Sequence, residues 1–210
     1  VKFMIYDLLP ILQPKHFSPN AAEGHEEFLG MVGENDGAIC ISEAVANELD
    51  DWMKDKTWKR KRSFSIEWSH LGADFDSSVA SKGLPENACV VLRTLKQRPS
   101  FLIVGTLEPR KGHSQVLDAF EQLWLIGTDI NLVIVGKQGW MMDEFINRLS
   151  QHPELNTRLF FLEAISDEYL EKVYVASTCL LAASYGEGFG LPLIEAAQHK
   201  IPIIARDIPV

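Results

Sequence analysis

From Phe101 onward the chain alternates short apolar runs with longer stretches in which apolar residues recur every three or four positions. The runs fall near residues 101–106, 130–135, 158–162, 178–183 and 202–205. Uninterrupted apolar character over that length fits strands buried on both faces. The stretches between them, near 113–125, 141–151, 167–176 and 191–199, carry a helical period. Strands alternating with helices predict βαβ units and a parallel sheet covered on both sides, an α/β fold. Ser166, followed by Asp167 and Glu168, reads as the N-cap of the third helix, with acids in its first turn.

The first hundred residues show a different pattern. Phe3–Tyr6 reads as a short strand ending at Asp7, and Pro10, Pro14 and Pro19 punctuate the stretch after it. Residues 38–41 predict a second strand, and Ser42 caps a helix to about Lys54 with Val45, Leu49, Trp52 and Met53 on its apolar face. Phe64, Ile66 and Trp68 alternate with Ser63, Ser65 and Glu67, the period of a half-buried strand. Two or three strands and one long helix are too few to close a second sheet domain.

The most informative stretch is Ser184-Tyr185-Gly186-Glu187-Gly188-Phe189-Gly190-Leu191-Pro192-Leu193-Ile194-Glu195. It joins the 178–183 strand to the 191–199 helix. A glycine-rich turn at a helix N-terminus aims unpaired N–H groups at one point, which suits a phosphate. Pro192 fits the first helical turn, where a missing N–H costs nothing. Glu195 lies roughly 7 Å along the helix from the turn, at 1.5 Å per residue. Two carboxylates staggered in this way grip an elongated ligand at two places, whereas a hydrolase pair must flank one bond.

A second loop, Gly105-Thr106-Leu107-Glu108-Pro109-Arg110-Lys111-Gly112, comes after the 101–106 strand. It is not a Walker A loop, which needs Ser or Thr where Gly112 stands. The dinucleotide fingerprint fails too, because Gly186-x-Gly188 lacks a third glycine at Leu191. Adjacent Arg110 and Lys111 offer a forked and a point cation to a diphosphate. They stand at the carboxyl end of a strand, where open α/β sheets bind ligands.

These segments resemble one family. The Glu187-x7-Glu195 arrangement and the wording Glu-Gly-Phe-Gly-Leu-Pro are similar to those of retaining glycosyltransferases of GT-B architecture. The likeness is to the large group-1 (family four) type, which includes bacterial lipopolysaccharide mannosyltransferases. Glu108-Pro109-Arg110-Lys111-Gly112 resembles another segment of that family, and 132–137 its second strand and glycine turn. Ile165–Leu170 is similar to the segment whose backbone flanks the nucleobase. Many members carry arginine directly after the first glycine; here that position is Thr106, so more of the phosphate role falls to Arg110.

The resemblance implies a Rossmann-like doubly wound parallel sheet, the C-terminal domain of a GT-B fold, preceded by part of an N-terminal domain. Residues 1–75 read as the end of that acceptor-side domain, with His70-Leu71-Gly72-Ala73-Asp74 similar to the entry into the interdomain linker. Residues 76–99 form linker and lead-in helix, and 100–210 the nucleotide-sugar domain, cut before its closing elements. The chain then reads as a fragment that binds donor without transferring sugar.

Glu187, Arg110 and Lys111 are implied as catalytic. Gly105, Thr106, Arg110, Lys111, Ile165, Glu187, Gly188, Phe189, Gly190, Leu191 and Glu195 are implied as donor-binding, with Glu187 on sugar hydroxyls and Glu195 on the ribose. The backbone of 189–191 is implied to face the phosphates. No cofactor or metal is expected. The implied donor is a nucleoside diphosphate hexose, GDP-mannose first, and the acceptor a glycan or lipid-linked sugar. Two other classes stand beside this reading: a module that binds a nucleotide sugar without transfer, and a GT-B phosphorylase or epimerase. No residue marks a pyridoxal lysine, which a phosphorylase would need. The family places a histidine on the acceptor side; His25, among carboxylates in 24–27, reads instead as a solvated loop residue.

Charge limits the partners. The net charge is −9, of which −2 lies in residues 1–111 and −7 in 112–210. An acidic half argues against nucleic acid, which needs a basic face, and it gives Arg110 and Lys111 a reason to be local. Cys40, Cys89 and Cys179 form no disulfide framework, which fits a reducing cytoplasm. The run Lys54, Lys56, Lys59, Arg60, Lys61 and Arg62, with Trp52 and Trp58 interleaved, has two readings: contact with the anionic inner membrane surface, or a solvated helix end. Trp140, after a glycine turn, fits a pocket wall or packing under the loop equally.

Overall fold

The proline-punctuated opening organises structure rather than breaking it. A computed structural model describes residues 1–59, 63–72 and 79–209. After strand β1 (Lys2–Ile5), Asp7 Oδ1 accepts a hydrogen bond from Leu9 N at 3.0 Å and opens a one-turn helix α1 (Leu9–Leu12) with Pro10 in its first turn. Pro14 starts a 3-10 turn, Pro14–His16. Helix α2 (Ala21–Gly33) comes next, then β2 (Gly37–Cys40), α3 (Glu43–Lys54) and β3 (Ser65–Trp68). The three strands form a parallel sheet in the order β1-β2-β3, with Phe3 opposite Ala38 and Ala38 opposite Ile66.

Helix α2 corrects the expectation of a single long helix in this region. Gly24, Gly30 and Gly33 each lower helix propensity by about 1 kcal/mol relative to alanine, and the apolar residues cluster at its end. Tertiary burial of Leu29 and Val32 overrides that deficit. His25 is therefore on a helix, not in a solvated loop; its Nε2 lies 3.0 Å from the Asp7 carbonyl oxygen and its ring 5.8 Å from that of Phe28. Ser42 caps α3 as anticipated, its Oγ accepting from Val45 N at 3.3 Å. Leu29, Val32, Cys40, Val45, Leu49 and Met53 share one core with Ile5 and Leu8.

The rest of the chain gives helix α4 (Ala88–Gln97), β4 (Ser100–Val104), a 3-10 turn (Pro109–Lys111), α5 (His113–Leu125) and β5 (Asn131–Val135). Then come α6 (Asp143–Ser150), β6 (Leu159–Leu162), α7 (Asp167–Ala176), β7 (Cys179–Ala182), α8 (Leu191–Gln198) and β8 (Ile203–Ala205). All strands are parallel, in the order β6-β5-β4-β7-β8. Alternate residues feed opposite faces. Ile103, Leu132 and Ile134 pack with Leu117, Phe120 and Phe145 from α5 and α6; Leu102, Val133 and Val135 pack with Leu95, Val173 and Tyr174 from α4 and α7. Burial on both faces is why these strands are apolar throughout.

By internal packing the chain divides into two compact units. One comprises Val1–Ala73, Gly186–Gly190 and Asp207–Val210; the other comprises Asp74–Tyr185 and Leu191–Arg206. The stretch leading into α4 is strapped to the N-terminal turn of α7. Ser81 N and Oγ donate to Asp167 Oδ2 at 2.8 and 2.7 Å, Gly83 N donates to Glu168 Oε2 at 3.0 Å, and Ser166 Oγ donates to the Gly83 carbonyl at 2.5 Å. Arg60, Lys61 and Arg62, and residues 73–78, which span the expected boundary between the N-terminal part and the linker, lie outside the described residues. Lys54 pairs with Asp50 and Asp51, and Lys56 pairs with Glu26 and sits 4.3 Å from the Trp52 ring. The described part of the basic run is thus largely matched by acids. Trp140 is 38% exposed. Among the described residues no helix is long and apolar enough to cross a membrane.

His113, the first residue of α5, is 1% exposed; burial first, and Lys111 second, lower its pKa to about 4. A histidine held below its unfolded value stabilises the fold fully above pH about 6.5, and that contribution is lost as pH falls toward 4, amounting to roughly 3 kcal/mol. Denaturant titrations at a series of pH values should show this slope between pH 6.5 and 4. His113→Phe should flatten it.

Candidate functional site

In the five-stranded sheet the strand order reverses between β4 and β7, which are neighbours although three helices separate them in sequence. Connections leave those two carboxyl ends on opposite sides of the sheet, and the crevice between them is where ligands bind in such folds. The loops after β4 and β7 are the two segments singled out above.

Close backbone approach builds the crevice. Tyr185 N donates to the Arg110 carbonyl at 2.7 Å. Gly112 has φ +74°, and a Cβ there would stand 2.5 Å from the Ala183 carbonyl oxygen. Only glycine lets the β4 loop pass the β7 loop at that distance in that conformation. Leu107 is fully buried; its amide donates to the Lys137 carbonyl at 2.8 Å and its carbonyl accepts from Gly139 N at 2.8 Å, so the β5 loop anchors the middle of the segment.

Each expected residue of this unit can be placed. Gly105 follows β4, and the Lys111 side chain runs alongside it, Cε and Nζ being 3.5 and 3.7 Å from where a Cβ would stand. Thr106 is exposed. Arg110 Nη2 donates to Glu108 Oε1 at 2.8 Å, and the side chains are 15% and 4% exposed. A buried carboxylate thus holds one edge of the guanidinium, whose planar fork of N–H donors suits an anion. Ile165 precedes the Ser166 N-cap of α7, whose Oγ accepts from Tyr169 N at 3.1 Å. Leu191 opens α8, and Glu195, one turn on, accepts from Tyr174 OH through Oε2 at 2.6 Å.

Gly186–Gly190 is counted with the first unit. There Ser42 Oγ donates to the Gly188 carbonyl at 2.9 Å, while also capping α3. A Cβ on Gly188 would meet the Tyr6 carbonyl oxygen at 2.2 Å. Phe189 packs on the first unit's core, 5.7 Å from the His70 ring. Glu187 is half-buried and Gly190 adopts φ +79°. Arg110, Lys111, Gly105, Ile165 and Glu195 thus share one unit, while Glu187, Gly188, Phe189 and Gly190 are placed in the other.

Several supporting residues escaped the sequence reading. Glu108 was adjacent in sequence, and its spacing to Arg110 across Pro109 was the available signal. Ser42 was read only as a helix cap. Arg206 stacks over the Tyr185 ring at 4.2 Å; its Nε donates to the Ala183 carbonyl at 3.2 Å and its Nη2 to Gln115 Oε1 at 2.5 Å. Tyr174 and Arg206 lie 21 residues from their partners Glu195 and Tyr185, and no local pattern marks such pairs.

Residues 90–210 match the family described as Glycosyl transferases group 1. The chain is similar to the serotype-specific mannosyltransferase WbdA of Escherichia coli, with 47% identity over 99% of this chain and 26% of that protein. It therefore spans about a quarter of the length of that relative. Among solved structures it is similar to sucrose-phosphate synthase from Thermosynechococcus elongatus, with a TM-score of 0.73, 24% identity, and coverage of 99% of this chain and 50% of that one. HepE of Anabaena, solved with UDP and glucose, gives a TM-score of 0.66 at 17% identity over 97% of this chain and 52% of that one. Both structural likenesses are of fold, that of GT-B glycosyltransferases, with a parallel α/β architecture.

Gly112→Ala tests the loop crossing against an internal control. Gly127 also has positive φ (+86°), but nothing lies within 4 Å of its would-be Cβ. Gly127→Ala should cost only backbone strain, about 1 kcal/mol, whereas Gly112→Ala adds displacement of the Ala183 carbonyl and should lose at least twice that. Thermal unfolding of the two variants measures the difference.

Proposed function

The chain belongs to the group 1 glycosyl transferases, and on that premise we propose that it serves hexose transfer from a nucleoside diphosphate sugar to a glycan or lipid-linked acceptor with retention of anomeric configuration. Mannose is the sugar of first choice and GDP-mannose the donor. The 47% identity to the mannosyltransferase WbdA supports the sugar. The setting is the cytoplasm, with the acceptor presented at the inner membrane surface.

One observation carries the reading. At the switch point of a parallel sheet, two loops are tied together by the Tyr185–Arg110 backbone bond, with Lys111 beside Gly105 and Glu195 on the next helix, α8. That arrangement offers cations and a helix N-terminus to a diphosphate, and a carboxylate one turn further along to a hydroxylated group.

In the reaction so read, the bond between the anomeric carbon and the diphosphate oxygen breaks as the acceptor oxygen bonds to that carbon from the same face. The acceptor's proton passes to the departing diphosphate. Charge develops on the leaving group, so Arg110, Lys111 and the N–H groups of 189–191 contribute by stabilising it without a metal ion. Glu187 holds the sugar hydroxyls and Glu195 the ribose.

Arg110→Ala should weaken binding of GDP or UDP by about ten- to 150-fold and leave the free nucleoside unaffected, since a charge-assisted hydrogen bond contributes about 1.5–3 kcal/mol. Isothermal titration with nucleoside, nucleoside diphosphate and sugar nucleotide reads this out. Equal affinities for nucleoside and diphosphate, untouched by the substitution, would refute the phosphate assignment. Glu187→Ala should spare the free diphosphate and weaken only the sugar-bearing donor.

A further inference from the structure

Glu195 is held from behind. Tyr174, near the end of α7, is 1% exposed, and its hydroxyl donates to Glu195 Oε2 at 2.6 Å. The phenol ring stacks on His199, one turn beyond Glu195, with centroids 5.0 Å apart and planes 12° from parallel. Burial, then the bond to Glu195, push the phenol well above its ordinary value, so it remains a proton donor at any pH the protein meets. A buried tyrosine must place its hydroxyl on a partner. Here the partner is the carboxylate assigned to the ribose.

The consequence is geometric. A glutamate on an exposed helix face samples several rotamers. With Oε2 bound to a phenol fixed by burial and stacking, the rotamers open to the carboxylate are restricted. Helix α7 spans about 15 Å, at 1.5 Å per residue over its ten residues. It begins beside Ile165, the residue read as flanking the base, and carries Tyr174 two residues before its last, Ala176.

We propose that Tyr174 is a positioning residue of the nucleotide site, fixing Glu195 so that the carboxylate accepts from the ribose 2′-hydroxyl. The proposal rests on the reading of Glu195 as the ribose carboxylate. Tyr174→Phe removes the hydroxyl and keeps the ring and its stacking. Tyr174→Met, which fills the same space with a flexible chain, is measured beside it.

Affinities for GDP and UDP, and for their 2′-deoxy forms, are compared in the wild type, Tyr174→Phe, Tyr174→Met, Glu195→Gln and the Tyr174→Phe/Glu195→Gln double variant, with thermal unfolding as the folding control. Tyr174→Phe should weaken ribonucleotide binding by about ten-fold and change 2′-deoxynucleotide binding by less than about two-fold, and the double variant should discriminate no less than Glu195→Gln alone. A Glu195→Gln variant that loses discrimination, alongside a folded Tyr174→Phe that keeps it, overturns the proposal and leaves the ribose assignment standing. Undiminished discrimination in Glu195→Gln removes the ribose assignment itself, and the proposal with it. Loss of the cooperative fold in both Tyr174 variants marks a role in packing and also overturns the proposal.

Discussion

The hydrogen bond from the Tyr185 amide to the Arg110 carbonyl joins two loops that leave neighbouring strands in opposite directions. Without it, the ends of β4 and β7 would be near each other but their loops would be free to splay. With it, the 3-10 turn carrying Arg110 and Lys111 acquires a fixed distance from Tyr185, at the end of the β7 loop's first stretch. Gly112 allows the approach, and Arg206 locks it by stacking on Tyr185 while bonding to the Ala183 carbonyl. A parallel sheet dictates where the loops begin; this small set of contacts dictates where they meet.

Charge organisation obeys the same economy. The half of the chain from residue 112 is strongly acidic, with a net charge of −7. Such a surface repels a diphosphate at long range, and the penalty is offset only where cations are held in place. Glu108 holds Arg110 from a nearly buried position, so the guanidinium is ordered before any ligand arrives. Lys111 lies along Gly105 instead of extending into solvent. The attraction is thus concentrated at the crevice instead of spread over a basic face, which suits a small anion better than a polyanion.

Much of this was visible in the letters. Strands buried on both faces are apolar throughout, so β4 to β7 appeared as runs, and the helices between them showed their period; β8 is apolar too, yet its residues are exposed. The two serine caps and the glycine turn were also legible, because capping and turn chemistry are local. Helix α2 was hidden by its glycines, and it forms because Leu29 and Val32 find a core that its own sequence does not announce. The partners of the key side chains were hidden for another reason. Glu195 needs Tyr174, Tyr185 needs Arg206, and Gly188 needs Ser42 and Tyr6; each pair is made by topology, at sequence separations that no local spacing encodes. Motif reading named residues of the two loops and of α8 and missed the partners standing behind them.

The strap from Ser81 to Gly83 adds a feature of another kind. Its amides and hydroxyl end on the carboxylates of Asp167 and Glu168, and the first cause of the lowered pKa at each is a bond from the strap, to Ser81 and Gly83 respectively. Those bonds hold the two carboxyls below their ordinary values, so their stabilising effect is complete above the unfolded pKa and fades as acid protonates them. The first turn of α7 and the stretch ahead of α4 are therefore tied to one another by bonds that weaken in acid. A disturbance that frees Ser81 also takes away the hydroxyl that accepts from the Asp167 amide, at the helix end beside Ile165.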